Sequence, residues 1–189
     1  MLSRWKRECS SPKRYAFLVT QKTTWSIRRA RTSDIRSIAG LIEPLVESRV
    51  LLGKDLVVLY ESVQEFTVAE GPDGIILGCG ALHVFWEHLG EIRTLAVSPD
   101  HLNQGIGSSL VQSLEEQARQ LGVSTLFCLT FEVEFFERNG FALQHDAIVD
   151  PEVYVELVRS PDEGVAEFLD LARVKPNTLG NSRMVKELV

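Results

Sequence analysis

The chain has 189 residues, 44% of them hydrophobic and 24% charged, and this composition indicates one soluble globular domain without a membrane-spanning segment. The formal net charge of −6 argues against nucleic acid or an anionic membrane as a partner. Three widely spaced cysteines without a CxxC pair favour reduced thiols in a cytoplasmic protein, and four histidines without ligand spacing predict no metal site.

Two parts of the chain differ in charge. Residues 1–24 carry six basic residues against one acidic residue and contain no long apolar run, so we predict a basic, poorly ordered extension rather than a secretion signal. Residues 25–189 hold most of the acidic side chains and the periodic apolar segments. We predict that they form the folded domain.

From residue 25 onward, segments of strand period alternate with segments of helix period. In the first half, the predicted elements are a strand at 25–29, a helix that Thr32 or Ser33 caps and that Pro44 bends or ends, a loop at 51–55, a helix at 56–63, and strands at 66–70 and 75–84. In the second half, they are a central strand at 91–97, a helix at 107–121, a strand at 125–130, a short helix at 135–140 with a strand after it, two short helices or turns at 151–159 and 162–171, and a last strand at 182–185. This order predicts a mixed α/β sheet.

The central strand leads into a glycine-containing loop and then into a helix. The strand ends at Ser98-Pro99, and the loop closes on Gly105-Ile106-Gly107. The first amides of a helix have no partner within the helix, and the helix dipole favours negative charge there. Glycine lets the backbone approach a phosphate closely. The spacing therefore predicts an anion site, although an ordinary strand-to-helix turn fits the same residues.

The segment from Val97-Ser98-Pro99 to Gly105-Ile106-Gly107 resembles motif A of the GNAT acetyltransferases. The resemblance implies the GNAT fold, in which a mixed and mostly antiparallel sheet is flanked by helices and splayed at the acetyl-CoA site. The residues that it implies for binding acetyl-CoA are Leu95, Ala96 and Val97 along the pantetheine, and Asn103, Gln104, Gly105, Ile106, Gly107 and Ser108 around the pyrophosphate. Family members open the loop with Arg or Gln, whereas this chain has Leu102, so one side-chain contact to phosphate is missing.

Further strings resemble the short actinobacterial-type amino-acid N-acetyltransferases of arginine biosynthesis, which are similar to the acetyltransferase domain of bacterial N-acetylglutamate synthases. Residues 78–82, 90–92, 126–130 and 136–141 occur in the order seen in that synthase domain, and residues 168–171 and 175–183 resemble the C-terminal ends of the short enzymes. The resemblance covers roughly residues 25–189. It implies an acyltransferase that moves acetyl from acetyl-CoA to the α-amine of glutamate or glutamine, as the first step of arginine biosynthesis.

The same resemblance implies which residues carry the catalysis. Glu91 lies where the family has its general base, which acyl transfer needs because an ammonium has no lone pair. Partial burial would raise the pKa of Glu91 toward neutral, and an exposed or salt-bridged glutamate is the alternative. Many relatives protonate the leaving thiolate with a tyrosine, but Phe136 stands at that position. Thr130 is our candidate donor instead, with a buried threonine bonded to the backbone as the alternative.

Four cations fall where the resemblance implies the acceptor pocket: Arg28, Lys54, Arg93 and Arg183. Arginine can recognise a carboxylate through two parallel hydrogen bonds, which suits an acceptor such as glutamate. Arg93 stands two residues after Glu91, so both side chains emerge on one face of the strand, where Arg93 binds the acceptor or merely pairs with Glu91. For the other three cations, an exposed surface charge is the alternative.

Three other functions remain open at this point. A GNAT enzyme that acts on another amine, such as a protein N-terminus, fits the motifs, whereas a polyamine fits poorly because four cations would repel it. An acetyl-CoA-binding module without activity fits the departures at Leu102 and Phe136. A purely structural α/β domain would bind no CoA. We expect a small-molecule partner, and the sequence is compatible with a homodimer.

Overall fold

The computed structural model describes residues 25–145, 149, 151–169 and 180–188. The predicted extension at 1–24 and the end of the predicted helix at 162–171 lie outside these ranges. The helices among the described residues are α1 (Ile35–Glu47), α2 (Leu56–Glu61), α3 (Ile106–Leu121), α4 (Val133–Arg138), α5 (Pro151–Leu157) and α6 (Glu163–Phe168). The strands are β1 (Ser26–Arg29), β2 (Phe66–Glu70), β3 (Ile76–Val84), β4 (Leu89–Val97), β5 (Thr125–Thr130), β6 (Ala142–Leu143) and β7 (Ser182–Glu187).

Within the described chain, the seven strands form one open sheet in the order β1-β2-β3-β4-β5-β7-β6. Every neighbouring pair is antiparallel except β4 and β5, which run parallel. A parallel pair needs a crossover connection, and α3 supplies it. The prediction of a mixed, mostly antiparallel sheet flanked by helices is confirmed.

The two parallel strands pair over only part of their length. The register joins residues 89–91 of β4 to residues 125–127 of β5. No further pairing between them occurs in the described residues, although β4 continues to Val97 and β5 to Thr130. In the same region β4 carries a bulge against β3, where Thr94 adopts a φ of 55°. The sheet is therefore splayed between the C-terminal halves of β4 and β5.

Helices cover both faces of the sheet. On one face, Leu114 of α3 shares a core with Ile92 of β4 and Met184 of β7. On the opposite face, α1 packs over β2 and β3, and α5 and α6 pack over β5. Successive side chains of a strand point to opposite faces. Because Ile92 faces α3, its neighbours Glu91 and Arg93 face the side that carries α1 and α6.

The start and the end of α1 differ from the prediction. Neither Thr32 nor Ser33 caps the helix; they lie in a 3₁₀ turn, and the Asp34 carboxylate accepts a hydrogen bond from the Arg31 amide at 2.7 Å. Pro44 does not end the helix, which continues to residue 47. A proline in a helix frees the carbonyl four residues earlier. Here that carbonyl belongs to an exposed glycine, so water can satisfy it.

Other boundaries shift by about two residues. β4 begins at Leu89 rather than at residue 91, and α4 begins at Val133 rather than at residue 135. None of the helices in the described ranges combines the length and apolar character that crossing a bilayer would require. In the same ranges no cluster of His, Cys, Asp and Glu is arranged to hold a metal ion.

Candidate active site

The loop between β4 and α3 presents backbone donors without partners. Asn103 and Gly105 adopt left-handed φ angles of 60° and 83°, which turn the chain into the helix. The first hydrogen bond of α3 runs from the Ser109 amide to the Gly105 carbonyl at 3.0 Å. Among the described residues, the amides of residues 103–108 have no hydrogen-bond partner. Such a run of free amides at a helix start can bind an anion.

Gly107 lies where a larger residue would press against a neighbouring aromatic ring. A Cβ atom added at this position would lie 3.1 Å from Cε2 and 3.2 Å from Cζ of Phe135, on α4. Gly105, in contrast, has open space around it, and its left-handed φ is what favours glycine there. The two glycines of the motif therefore serve different purposes: one allows the turn, and the other allows α3 to approach α4.

Glu91 is a buried carboxylate at the point where β4 and β5 separate. It is 5% exposed, and its Oε2 atom has no hydrogen-bond partner among the described residues. Burial disfavours the charged form and raises the pKa of Glu91 to about 7, although the cations Arg93, His83 and Lys54 act in the opposite direction. A carboxyl group with a pKa near neutral can take up and release a proton at physiological pH.

Arg93 has the same orientation as Glu91, as predicted, but its main partners are other acids. Its Nη1 donates to Asp162 Oδ2 at 3.0 Å, and its Nη2 donates to Glu65 Oε2 at 2.9 Å. Nη1 lies 3.9 Å from Glu91 Oε2, beyond hydrogen-bond distance. Arg93 therefore contributes positive charge beside Glu91 without neutralising it through a hydrogen bond.

His83 joins the same cluster from β3. Its Nδ1 lies 2.9 Å from Glu65 Oε1 and 3.0 Å from Arg93 Nη2. A guanidinium only donates and a carboxylate only accepts, so Nδ1 can satisfy one of these partners in each tautomer. Burial alone would raise the pKa of Glu65, but His83 and Arg93 hold it below its usual value.

A cavity of about 70 Å³ lies beside this cluster, which is room for about two water molecules. Lys54 lines the cavity together with Glu91 and Arg93. Burial lowers the pKa of Lys54 and Arg93 lowers it further, while the nearby carboxylates act against them. The rest of the lining comprises residues 50–53, Thr94, Leu129, Gly164 and Asn181.

The predicted site residues fall into two groups. The structure brings Glu91, Lys54 and Arg93 together around the cavity. Leu95, Ala96 and Val97 follow on the same strand, β4, which leads to the loop at residues 103–108. Three predicted residues do not line the cavity: Arg28, Thr130 and Arg183.

These three residues have other surroundings. Arg28 donates to both oxygens of Asp34 and to both oxygens of Glu70. Thr130, at the end of β5, accepts a hydrogen bond from the Glu132 amide at 2.9 Å. Arg183 is the register partner of Leu129, which does line the cavity. Thr130 therefore shows the backbone contact that its alternative interpretation predicts, whereas Arg28 is a partly buried, paired charge rather than an exposed one.

Sequence reasoning missed three polar residues around Glu91: Glu65, His83 and Asp162. Two local signals were present. His83 lies within the strand predicted at 75–84. Asp162 stands at the N-cap of a predicted helix, where its Oδ1 accepts hydrogen bonds from the amides of Gly164 and Val165. Neither signal indicates that Arg93, 69 residues before Asp162, is the second partner of that carboxylate.

Comparisons with known proteins agree with this geometry. Residues 47–141 match the model of the acetyltransferase (GNAT) family. An amino-acid acetyltransferase of Mycobacterium tuberculosis is 55% identical over 161 residues, which is 84% of this chain and 92% of that protein. An amino-acid acetyltransferase of Pseudomonas putida is 36% identical over 66% of this chain, but the match spans only 29% of that longer protein.

Two solved structures resemble the fold closely. The crystal structure of Rv2747 from Mycobacterium tuberculosis, in complex with CoA and NLQ, has a TM-score of 0.83 and 54% identity over 87% of this chain and 99% of that one. N-acetylglutamate synthase from Neisseria gonorrhoeae, complexed with coenzyme A and N-acetyl-glutamate, has a TM-score of 0.70 and 31% identity, over 88% of this chain and 35% of that one.

The family model spans half of the chain, and the match to the mycobacterial relative covers nearly the whole of both proteins. The splayed strands, the loop with free amides and the buried carboxylate fit the same enzyme class. The chain therefore belongs to the GNAT family of acetyltransferases.

Proposed function

We propose that this acetyltransferase is an amino-acid N-acetyltransferase that moves acetyl from acetyl-CoA to the α-amine of L-glutamate or L-glutamine. The observation that carries the proposal is the Glu91 carboxylate, which is buried, has an oxygen without a hydrogen-bond partner and has a pKa of about 7 beside two cations at the cavity. The ligands of the two solved relatives, CoA with NLQ and CoA with N-acetyl-glutamate, support this choice of substrates. The reaction would be the first step of arginine biosynthesis.

Acetyl-CoA fits the groups that the chain offers. The free amides of residues 103–108 suit the pyrophosphate, since they are donors at the start of a helix. The gap between β4 and β5 leaves the β4 backbone open along residues 95–97, so pantetheine can pair with it as an added strand. The missing side-chain contact at Leu102 is offset by these backbone donors.

The chemistry starts with removal of a proton from the acceptor ammonium by Glu91, directly or through a water molecule. The free amine attacks the thioester carbonyl, and the amide of Ala96 or Val97 stabilises the oxyanion. The C–S bond then breaks, and CoA leaves as a thiolate. The thiolate takes up the proton that the attacking nitrogen loses as the amide forms. The Thr130 oxygen accepts a hydrogen bond from the Glu132 amide, so its hydroxyl can donate a hydrogen bond to the sulfur without giving up its own proton.

The cations at the cavity suit an acceptor with carboxylates. Lys54 and Arg93 line the cavity, and Arg183 lies on the adjoining β7 strand. Two carboxylates hold Arg28 on β1, at one edge of the sheet. β1 lies three strand positions from β4, which is a distance of about 14 Å, so we propose a role in stability for Arg28. An acceptor such as a polyamine would meet repulsion from Lys54 and Arg93.

The direct test measures CoA release by the purified full chain with acetyl-CoA and a panel of acceptors: glutamate, glutamine, aspartate, a polyamine and a peptide N-terminus. We expect glutamate or glutamine to give the highest kcat/KM. Glu91→Gln should lower kcat by about 10²–10⁴-fold, because the base is lost while the volume is kept. Glu116→Gln, on the exposed side of α3, is the matched control and should keep wild-type activity.

Each outcome separates the alternatives. The proposal is wrong if none of the amino acids releases CoA. Thermal stabilisation by acetyl-CoA without turnover would instead indicate a binding module. Full turnover by Glu91→Gln across the pH range would remove only the assignment of the base.

A further inference from the structure

Asp162 connects the start of α6 to β4, the strand that carries Glu91 and Arg93. Its Oδ1 accepts hydrogen bonds from the amides of Gly164 at 2.8 Å and Val165 at 3.1 Å, which makes it the cap of the helix. Its Oδ2 accepts the hydrogen bond from Arg93 Nη1 at 3.0 Å. One carboxylate thus holds two elements that lie 69 residues apart in sequence.

The Arg93 guanidinium is held away from Glu91 by these contacts. Its Nη2 is fixed by Glu65 at 2.9 Å, and its Nη1 is fixed by Asp162 at 3.0 Å. The distance from Nη1 to Glu91 Oε2 is 3.9 Å, so a movement of about 1 Å would turn this loose ion pair into a hydrogen-bonded one. Asp162 therefore competes with Glu91 for the same nitrogen.

Gly164 lies against the Glu91 carboxylate as a result of the cap. A Cβ atom at this position would be 3.4 Å from Glu91 Oε2 and 3.0 Å from Asp162 Oδ1. Gly164 also lines the cavity, so the first turn of α6 forms part of its wall. The cap consequently fixes how closely α6 approaches the base.

We propose that Asp162 is a positioning residue of this acetyltransferase, which holds Arg93 off the Glu91 carboxylate and fixes α6 as a wall of the acceptor cavity. The inference rests on the proposed role of Glu91 as the general base. An Arg93–Glu91 ion pair would stabilise the carboxylate and weaken it as a base, whereas the Arg93–Asp162 pair leaves Glu91 Oε2 without a hydrogen bond.

The charges around Glu91 give the direction of the effect. The negative charge of Asp162 raises the pKa of Glu91, and Arg93, His83 and Lys54 lower it. The ionisable groups that face Glu91 from the elements around it are Lys54 before α2, Glu65 before β2, His83 on β3, Arg93 on β4, Cys128 on β5 and Asp162 before α6. Loss of the Asp162 charge leaves Arg93 and Lys54 beside Glu91 with one opposing carboxylate fewer, so the pKa of Glu91 falls.

Asp162→Asn tests the proposal, because the asparagine oxygen can cap α6 as the aspartate does, while its amide nitrogen cannot accept the hydrogen bond from Arg93. The charge and the contact with Arg93 are therefore lost together. The acid limb of the kcat/KM–pH profile should move to lower pH, and the plateau should fall by about tenfold or less, well short of the loss expected for removing the base. Asp162→Ser is a second charge-free variant with a capping oxygen. Glu156→Gln, which removes an exposed charge from α5, is the matched control and should leave the profile in place.

A second measurement does not depend on turnover. The carboxyl band of Glu91, identified as the infrared difference between wild type and Glu91→Gln, should titrate at lower pH in Asp162→Asn than in wild type. An unshifted Glu91 titration and an unshifted acid limb would overturn the proposal, whatever the change in kcat. If wild type shows no acceptor-dependent turnover, the proposed function fails, while the infrared titration still decides the role of Asp162.

Discussion

At the residue scale, the two cations of the cavity differ in what they already bind. Arg93 makes hydrogen bonds to Asp162, Glu65 and His83. Lys54 Nζ, within the part of the chain that the structure describes, has no hydrogen bond or ion pair within 4 Å, although burial lowers its pKa. A buried ammonium without a partner gains most from an incoming carboxylate. Lys54 is thus the cation that is available to the acceptor.

Lys54→Met should raise the KM for the amino-acid acceptor by roughly 10- to 100-fold, because a hydrogen bond between charged groups contributes about 1.5–3 kcal/mol. The KM for acetyl-CoA should stay within about twofold. Steady-state kinetics with each substrate varied in turn measures both values. Lys54→Arg should restore part of the acceptor affinity, and Arg159→Gln, at an exposed position in the turn after α5, is the surface control. An unchanged acceptor KM in Lys54→Met would exclude this role.

The sequence was sufficient for some residue-scale features and insufficient for others. Strand alternation correctly predicted that Glu91 and Arg93 share a face. It did not predict that Arg93 bonds to Glu65 and Asp162, since these acids are 28 and 69 residues away and only the folded sheet and α6 bring them close. The partners of a charge depend on tertiary neighbours, and periodicity carries no information about those.

At the scale of elements, the start of α3 depends on how closely it packs on α4. Gly107 faces the Phe135 ring so closely that a methyl group would force the ring to move by a few tenths of an ångström. The free amides of residues 103–108 belong to the same turn, so a displacement of α3 would move the donors together. We infer that the position of α4 controls the geometry of the cofactor loop.

Gly107→Ala should therefore raise the KM for acetyl-CoA by about tenfold and lower the free energy of unfolding by about 1–3 kcal/mol, because the added methyl group overpacks the contact with Phe135. Gly40→Ala is the matched control: it lies in α1 with no atom within 4 Å of the added Cβ, and it should stabilise the fold by about 0.5–1 kcal/mol. Kinetics and urea denaturation measure the two effects. Wild-type acetyl-CoA kinetics in Gly107→Ala would contradict the inference.

The order of elements was predictable because the strands and α3 have clear apolar periods bounded by glycine and proline turns. Two features were not. Pro44 is tolerated inside α1 because the carbonyl that it frees lies on an exposed residue, which the sequence cannot show. The separation of β4 from β5 has no signal in periodicity, since the pattern of each strand says nothing about which residues of the other it pairs with; only the family resemblance implied it.

For the molecule as a whole, the buried Glu91 carboxylate lowers the free energy of unfolding at neutral pH. Most of the shifted carboxylates, including Asp34, Glu65, Glu70 and Asp162, have their pKa values lowered by cationic or hydrogen-bonding partners, so they stabilise the fold as pH rises. Glu91 behaves in the opposite way, because burial without a hydrogen-bond partner favours its protonated form. The proposed base therefore lacks the hydrogen bonds that would stabilise its charged form.

The raised pKa of Glu91 predicts how the free energy of unfolding of Glu91→Gln changes with pH relative to wild type. The pKa of Glu91 in the folded protein is about 7, against 4.5 for an exposed glutamate, so its contribution to stability is fully present below pH 4.5 and is lost as the pH rises through 7. Between pH 5 and pH 8 this loss amounts to about 2.5 kcal/mol. Glutamine is neutral throughout, so the variant should gain that amount relative to wild type over the same interval. Urea denaturation of both proteins at the two pH values measures the difference. Equal differences at pH 5 and pH 8 would mean that Glu91 titrates alike in the folded and unfolded chains, and the buried carboxylate would then have no raised pKa to use as a base.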